Sequence, residues 1–170
     1  GAGVNVVAET IKVADHIGSA DERVNSVVAT GNVSGVPGDI EVGVEEADGY
    51  YSGTVYANNE VSAAHDLIAG TVEAGSLKAG ADLSVRNVVA GAGGVTSGKD
   101  LKSYSLASDG DVIAKNSIAI TNLEKAGNVT ATDKTVVIEN VNGTVGAVKA
   151  GTTVAITNIG SESDPAVVGT

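Results

Sequence analysis

The sequence predicts an all-β fold, a β-solenoid whose stacked rungs are 16 to 18 residues long. A near-duplicated phrase predicts it first: "TVVIENVNG" at 135–143 returns as "TTVAITNIG" at 152–160. A periodic series extends that repeat along the chain. Val55, Val72, Val88, Leu106, Leu123, Val141 and Ile159 follow one another at steps of 16 to 18 residues. Composition is the third observation. With no Phe, Trp, Met or Cys and only four Tyr, the interior must be filled by Val, Ile, Leu and Ala. Such a core suits narrow, repetitive geometry rather than an irregular globule closed by large aromatics. β-branched residues between Gly and Asn turns favour strands over helices.

The 170 residues read as one solenoid domain in three stretches. Residues 1–52 form an irregular N-terminal third. There "TIKVADHIG" at 10–18 echoes the duplicated phrase and ends at Ile17, while "VVATGNVSG" is expected to place a further turn near Val33. "VPGDIEVGVEEADGYYSG" at 36–53 reads as an insertion, an irregular rung or a segment that leaves the solenoid body.

Residues 53–160 are the regular rungs. Val61, Leu77, Val95, Val112, Val129 and Val145 form a second inward series, and Leu83, Leu101, Ile118, Val136 and Val154 a third. Val85, Tyr104, Ile120, Ile138 and Ile156 follow as inward alternates of a strand, Tyr104 one place out of step. The tail "SESDPAVVGT" at 161–170 lies outside the repeat. A unit this small cannot bury its own apolar face, so each rung must pair with its equivalents about 4.8 Å above and below.

The residue before the anchor is Asn87, Ser105, Asn122, Asn140 and Asn158 in the last five copies. An amide recurring once per turn is expected to form a corner ladder, as in stacked cross-β sheets.

Ten basic against 21 acidic residues give a net charge of −11, which opposes nucleic acid and anionic membranes. No apolar run is long enough to span a membrane. Without Cys there is no disulfide, thiolate metal site or Cys nucleophile. The start "GAGVNVV" has no Met, as after removal of a signal peptide, but a trimmed Met or an expression scar would look the same. Sequons at Asn32, Asn128 and Asn142 would be glycosylation sites in a secreted protein.

Neither catalytic residues nor a cofactor or metal site is expected. His16 and His65 are the two histidines, and His65–Asp66 reads as a solvent-exposed corner. Asp39, Glu41, Glu45, Glu46 and Asp48 read as a solvated acidic loop, since they lack the spacing of an EF-hand or a calcium nonapeptide. "GAGG" at 91–94 lacks Walker spacing and continues as strand. Aromatic platforms expected of a polysaccharide-acting β-helix are absent, and a Thr-x-Thr array occurs only at 130–132.

The phrases "GNVTATDKTVVIENVNG" and "AGADLSVRNVVAGAGG" resemble repeats of filamentous-haemagglutinin-type secreted β-solenoids and, more loosely, of bactofilin polymers. Acidity, sequons and rungs without a helical cap are also similar to what is expected of prokaryotic surface polymers, including tubular sheaths of methanogenic archaea. The resemblance implies an extracellular structural subunit that forms a homopolymer by β-edge pairing, and it assigns no residue a role. Two other readings stay open: a polysaccharide-acting β-helix enzyme using the carboxylates at 39–48, and a surface adhesin that binds cell-surface glycans.

Overall fold

The structure is a computed structural model that describes residues 3–160 and 167–169. It is all-β, a parallel β-solenoid in which 17 strands join one continuous sheet. Each rung has three faces. The first carries the inward column Val6, Val27, Val61, Leu77, Val95, Val112, Val129 and Val148. Along the second run Ile11, Ile40, Leu67, Leu83, Leu101, Ile118, Val136 and Val154. Ile17, Val55, Val72, Val88, Leu106, Leu123, Val141 and Ile159 line the third. Each aliphatic side chain lies on its equivalents in the adjacent rungs, and the columns together form the buried core. Alternate residues face out, which is the period-2 pattern the inward series follow.

Every strand pairing between rungs is parallel, so each backbone group is satisfied by a neighbouring rung rather than within its own. Some strands bend through a corner without a break. Leu67–Ala79 and Leu83–Ser97 each serve more than one face. "GAGG" at 91–94 lies inside the second of these strands.

Four placements differ from the sequence reading. Val145 is not the first-face partner of Val129; that place belongs to Val148, and Val145 bridges Ala126 instead. The third-face segment runs on past Val141 through the Asn142–Gly143 turn, so this rung is longer and the count slips by three. Ser103, not Tyr104, takes the inward place opposite Val85. Its hydroxyl is buried but donates to the carbonyls of Arg86 and Ser105, whereas Tyr104 points out, 49% exposed. Val33 stands fully in solvent, and the inward residues there are Val27 and Ala29. Gly31 at φ 62° helps carry residues 30–38 out of the stack as an excursion. Finally, Val167–Gly169 returns to pair in parallel with Thr144–Ala147, so part of the tail belongs to the sheet. Residues 161–166 lie outside the described residues.

The irregular N-terminal third consists of two long rungs that keep the three-face register while carrying excursions. Ile11 to Ile40 and Ile40 to Leu67 each span more than one regular period, yet all three residues share a column. The acidic segment is a β-hairpin that leaves the second rung at a corner. It is closed by the Glu45–Tyr51 antiparallel bridge and by Glu46 N–H donating to the Tyr50 carbonyl at 2.7 Å. Gly49, at φ 77°, supplies the left-handed residue its tight turn requires.

Candidate functional site

Two corner ladders and the last described rung are the candidate site. Strand register sets Asn87, Ser105, Asn122, Asn140 and Asn158 opposite one another, with Thr71, Thr54 and His16 continuing the column toward the N-terminus. Asn140 Nδ2 donates to Asn122 Oδ1 at 3.0 Å, and Asn158 Nδ2 to Asn140 Oδ1 at 2.8 Å. Asn87 Nδ2 donates to Thr71 Oγ1 at 3.3 Å. Ser105, too short to span a rung, separates Asn87 from the other amides.

These bonds have a direction. In each of them the donating amide lies on the C-terminal side of its acceptor. A shorter run at another corner repeats the polarity, Asn25 donating to Asn5 and Asn59 to Asn25. The stack is therefore polar in its side chains as well as its backbone.

The second ladder was overlooked in the sequence. Thr10, Asp39, Asp66, Asp82, Asp100, Ser117, Thr135 and Thr153 each immediately precede a second-face inward residue. All carry a short side-chain oxygen. Asp39 Oδ1 accepts the backbone N–H of Asp66 at 3.1 Å, Asp66 Oδ1 that of Asp82 at 2.9 Å, and Asp82 Oδ1 that of Asp100 at 3.1 Å. Asp100 Oδ1 accepts the N–H of Ser117 at 3.0 Å, and Thr10 Oγ1 that of Asp39 at 3.1 Å. Each oxygen thus caps an N–H that the bend would otherwise expose, and again it points toward the C-terminal end. A search for "short oxygen side chain, then aliphatic" at the rung step would have found it.

Stacked carboxylates repel, and His65 lies where that repulsion can be offset. Its Nδ1 is 2.8 Å from Asp39 Oδ1 and 3.3 Å from Asp66 Oδ2. His65 and Asp66 are thus half-buried corner residues rather than a free turn. Asp39, His65 and Asp66 could offer a metal three ligand atoms within 4.8 Å of one another. Asp39 Oδ1 and Asp66 Oδ1 are already committed to corner N–H groups.

The acidic hairpin is pinned, although residues 44–49 stay exposed to solvent. Arg86 pairs with Glu46 and reaches both Asp48 oxygens at 2.8 Å. Asp48 Oδ1 also accepts the Tyr50 N–H at 3.1 Å. That backbone bond, with the Arg86 guanidinium behind it, holds the Asp48 carboxyl below its ordinary value. Tyr50 is buried, with Lys102 Nζ 4.5 Å from its ring centroid, and burial raises its phenol above the usual value. Glu41 binds Lys12 at 2.7 Å and accepts from the Tyr51 hydroxyl at 3.2 Å.

Of the sequon residues, Asn32 accepts the N–H groups of Ser34 and Val36 and donates to Glu9. Asn128 accepts the N–H of Ala147 and donates to Asp111. Asn142 is exposed and makes one side-chain bond, to the exposed Glu124, which leaves it the most open of the three.

The last described rung leaves its inward column open. Val154 is 43% exposed and Ile159 55%, where their column equivalents Val136 and Val141 are fully buried. Ile11 and Ile17 on the first rung are only 5% and 7% exposed. Among the described residues there is no helix, and so none long and apolar enough to cross a membrane. No family model, curated protein or solved structure matches the chain.

Proposed function

We propose that this chain is an extracellular structural subunit that assembles by β-edge pairing into a filament, sheath or surface layer. The observation that carries this reading is the half-exposed Val154 and Ile159 on a rung whose backbone edge has the same parallel geometry as every rung beneath it. Apolar side chains on an open strand edge favour pairing with another chain, through both backbone hydrogen bonding and burial. The enzyme reading loses support because Asp39, Glu41, Glu46 and Asp48 are engaged in ion pairs and corner bonds. A net charge of −11 disfavours indiscriminate lateral clumping and so favours growth along the stack.

The test is electron microscopy of the purified protein across a range of concentrations, with Ile159→Lys beside the parent chain. Ordered polymers are expected from the parent, and their loss from the variant, with the β-type circular dichroism of both unchanged. A parent chain that stays monomeric at every concentration would overturn the reading.

A further inference from the structure

Building on that reading, we propose that copies of this chain join head to tail. The Thr153–Ile159 strand of one copy then pairs in parallel with Ile11–Ile17 of the next, and all three inward columns run on across the junction. The phase of the rungs makes this possible. The described stack begins on the first face, at Asn5–Ala8, and its last rung reaches the third face at Asn158 and Ile159. An added copy therefore starts on the face where the previous one needs its next strand. Val167–Gly169 covers Thr144–Ala147 and leaves Val148–Ala150 open, so Val6–Ala8 of the next copy fall over Val148–Ala150, while Asn5, whose register place is the already paired Ala147, must turn aside.

The side chains brought together match those already stacked within the chain. Ile11 would cover Val154, Val13 would cover Ile156 and Ile17 would cover Ile159, aliphatic on aliphatic, with the burial gained on the side of Val154 and Ile159, since Ile11 and Ile17 are already buried. Thr10 would fall over Thr153 in the corner column of short oxygen side chains. The strand Thr153–Ile159 carries no charge, so no like-charged pair is buried in it.

Strand direction selects this arrangement over a symmetric one. Asn158 spends its Nδ2 on Asn140, which leaves its Oδ1 as an acceptor toward the open edge. In the same column on the first rung stands His16, its Nδ1 engaged with Asp15 Oδ2 at 3.0 Å. A tail-to-tail dimer, related by a two-fold axis, would instead pair Thr153–Ile159 antiparallel to its own copy, where every rung pairing within the chain is parallel. Two misfits are built in: Ala14 and Asp15 lie between Val13 and His16, where Thr157 alone lies between Ile156 and Asn158, and Glu9 and Thr10 lie between Ala8 and Ile11, where three residues lie between Ala150 and Val154. The junction should carry a one-residue irregularity at each of those two bends.

Disulfide trapping tests the register, because the native chain has no cysteine. Val7 and Lys149 are exposed and outward, and the proposed register sets them directly opposite, at the Cα separation a disulfide needs. Under mild oxidation Val7→Cys/Lys149→Cys should lose its monomer band to a ladder of covalent multimers. Val7→Cys alone, Lys149→Cys alone and the off-register Val7→Cys/Thr130→Cys should stay monomeric on a denaturing gel. Dimers from either single variant would overturn the head-to-tail arrangement in favour of a symmetric one. Polymers visible by microscopy without a ladder from the double variant would overturn the register and leave the assembly reading standing. Absence of polymers from the parent chain would overturn both.

Discussion

Asn140 shows what one residue contributes to a stacked corner. It is half-buried, donates to Asn122 and to the Thr121 carbonyl, and accepts from Asn158. Asn140→Asp removes both donations and sets a carboxylate oxygen against Asn122 Oδ1, while the bond from Asn158 survives. Thermal unfolding should show a loss of about 1–3 kcal/mol, the cost of unmade buried hydrogen bonds. An unchanged melting curve would mean the amide run does not support the corner. The recurrence of Asn140 and its column was visible in sequence because an amide before an aliphatic residue is conspicuous. The Asp39–Asp66–Asp82–Asp100 column was equally regular but hidden by mixed chemistry: Thr, Ser and Asp share only a short side-chain oxygen, and pattern reading sorts them apart. Tyr104 was misplaced for a related reason. An aromatic looks like core, but the narrow interior takes Ser103 and satisfies its hydroxyl.

At the scale of elements, the regular strands were legible because a repeat of constant length predicts its own neighbours. The hairpin at 44–52 was not, since its fold depends on Arg86 and Lys102, far along the chain and one and two rungs beyond the hairpin's immediate neighbour in space. Density of acidic residues suggested a solvated loop, yet nearby cations turn those charges into a latch. The latch predicts a pH dependence. Asp48's carboxyl lies below its unfolded value of about 3.9, so its stabilisation is fully present above that value. It is lost as pH falls through the lowered folded value. Acidification should therefore release amide protection in residues 44–52 before the aliphatic rungs unfold, as read by hydrogen exchange. Asp48→Asn should lower the same protection at neutral pH, because the amide retains a cap for Tyr50 but not the charge that binds Arg86. Equal protection of hairpin and rungs across that pH range would rule out a separable latch.

For the whole molecule, the governing quantity is phase. Faces recur in fixed order, the long N-terminal rungs return to that order after each excursion, and the last rung stops where the first could begin. Sequence periodicity alone gave the rung length. It could not give the three-face phase of the N-terminal third, because the excursions at 30–38 and 44–52 erase the count between Ile11 and Leu67. It also could not show that the ladders share one direction, which depends on how each amide and carboxylate is turned. On the proposed assembly, a stack polar in backbone and side chains, open at Val154 and Ile159, extends along its own axis. X-ray fibre diffraction from aligned assemblies tests that most directly. The account predicts a sharp meridional reflection near 4.8 Å, the rung spacing running unbroken along the polymer axis. A reflection of that spacing on the equator, or none from a well-aligned sample, would mean that the subunits join through their sides and that the open rung is not the assembly edge.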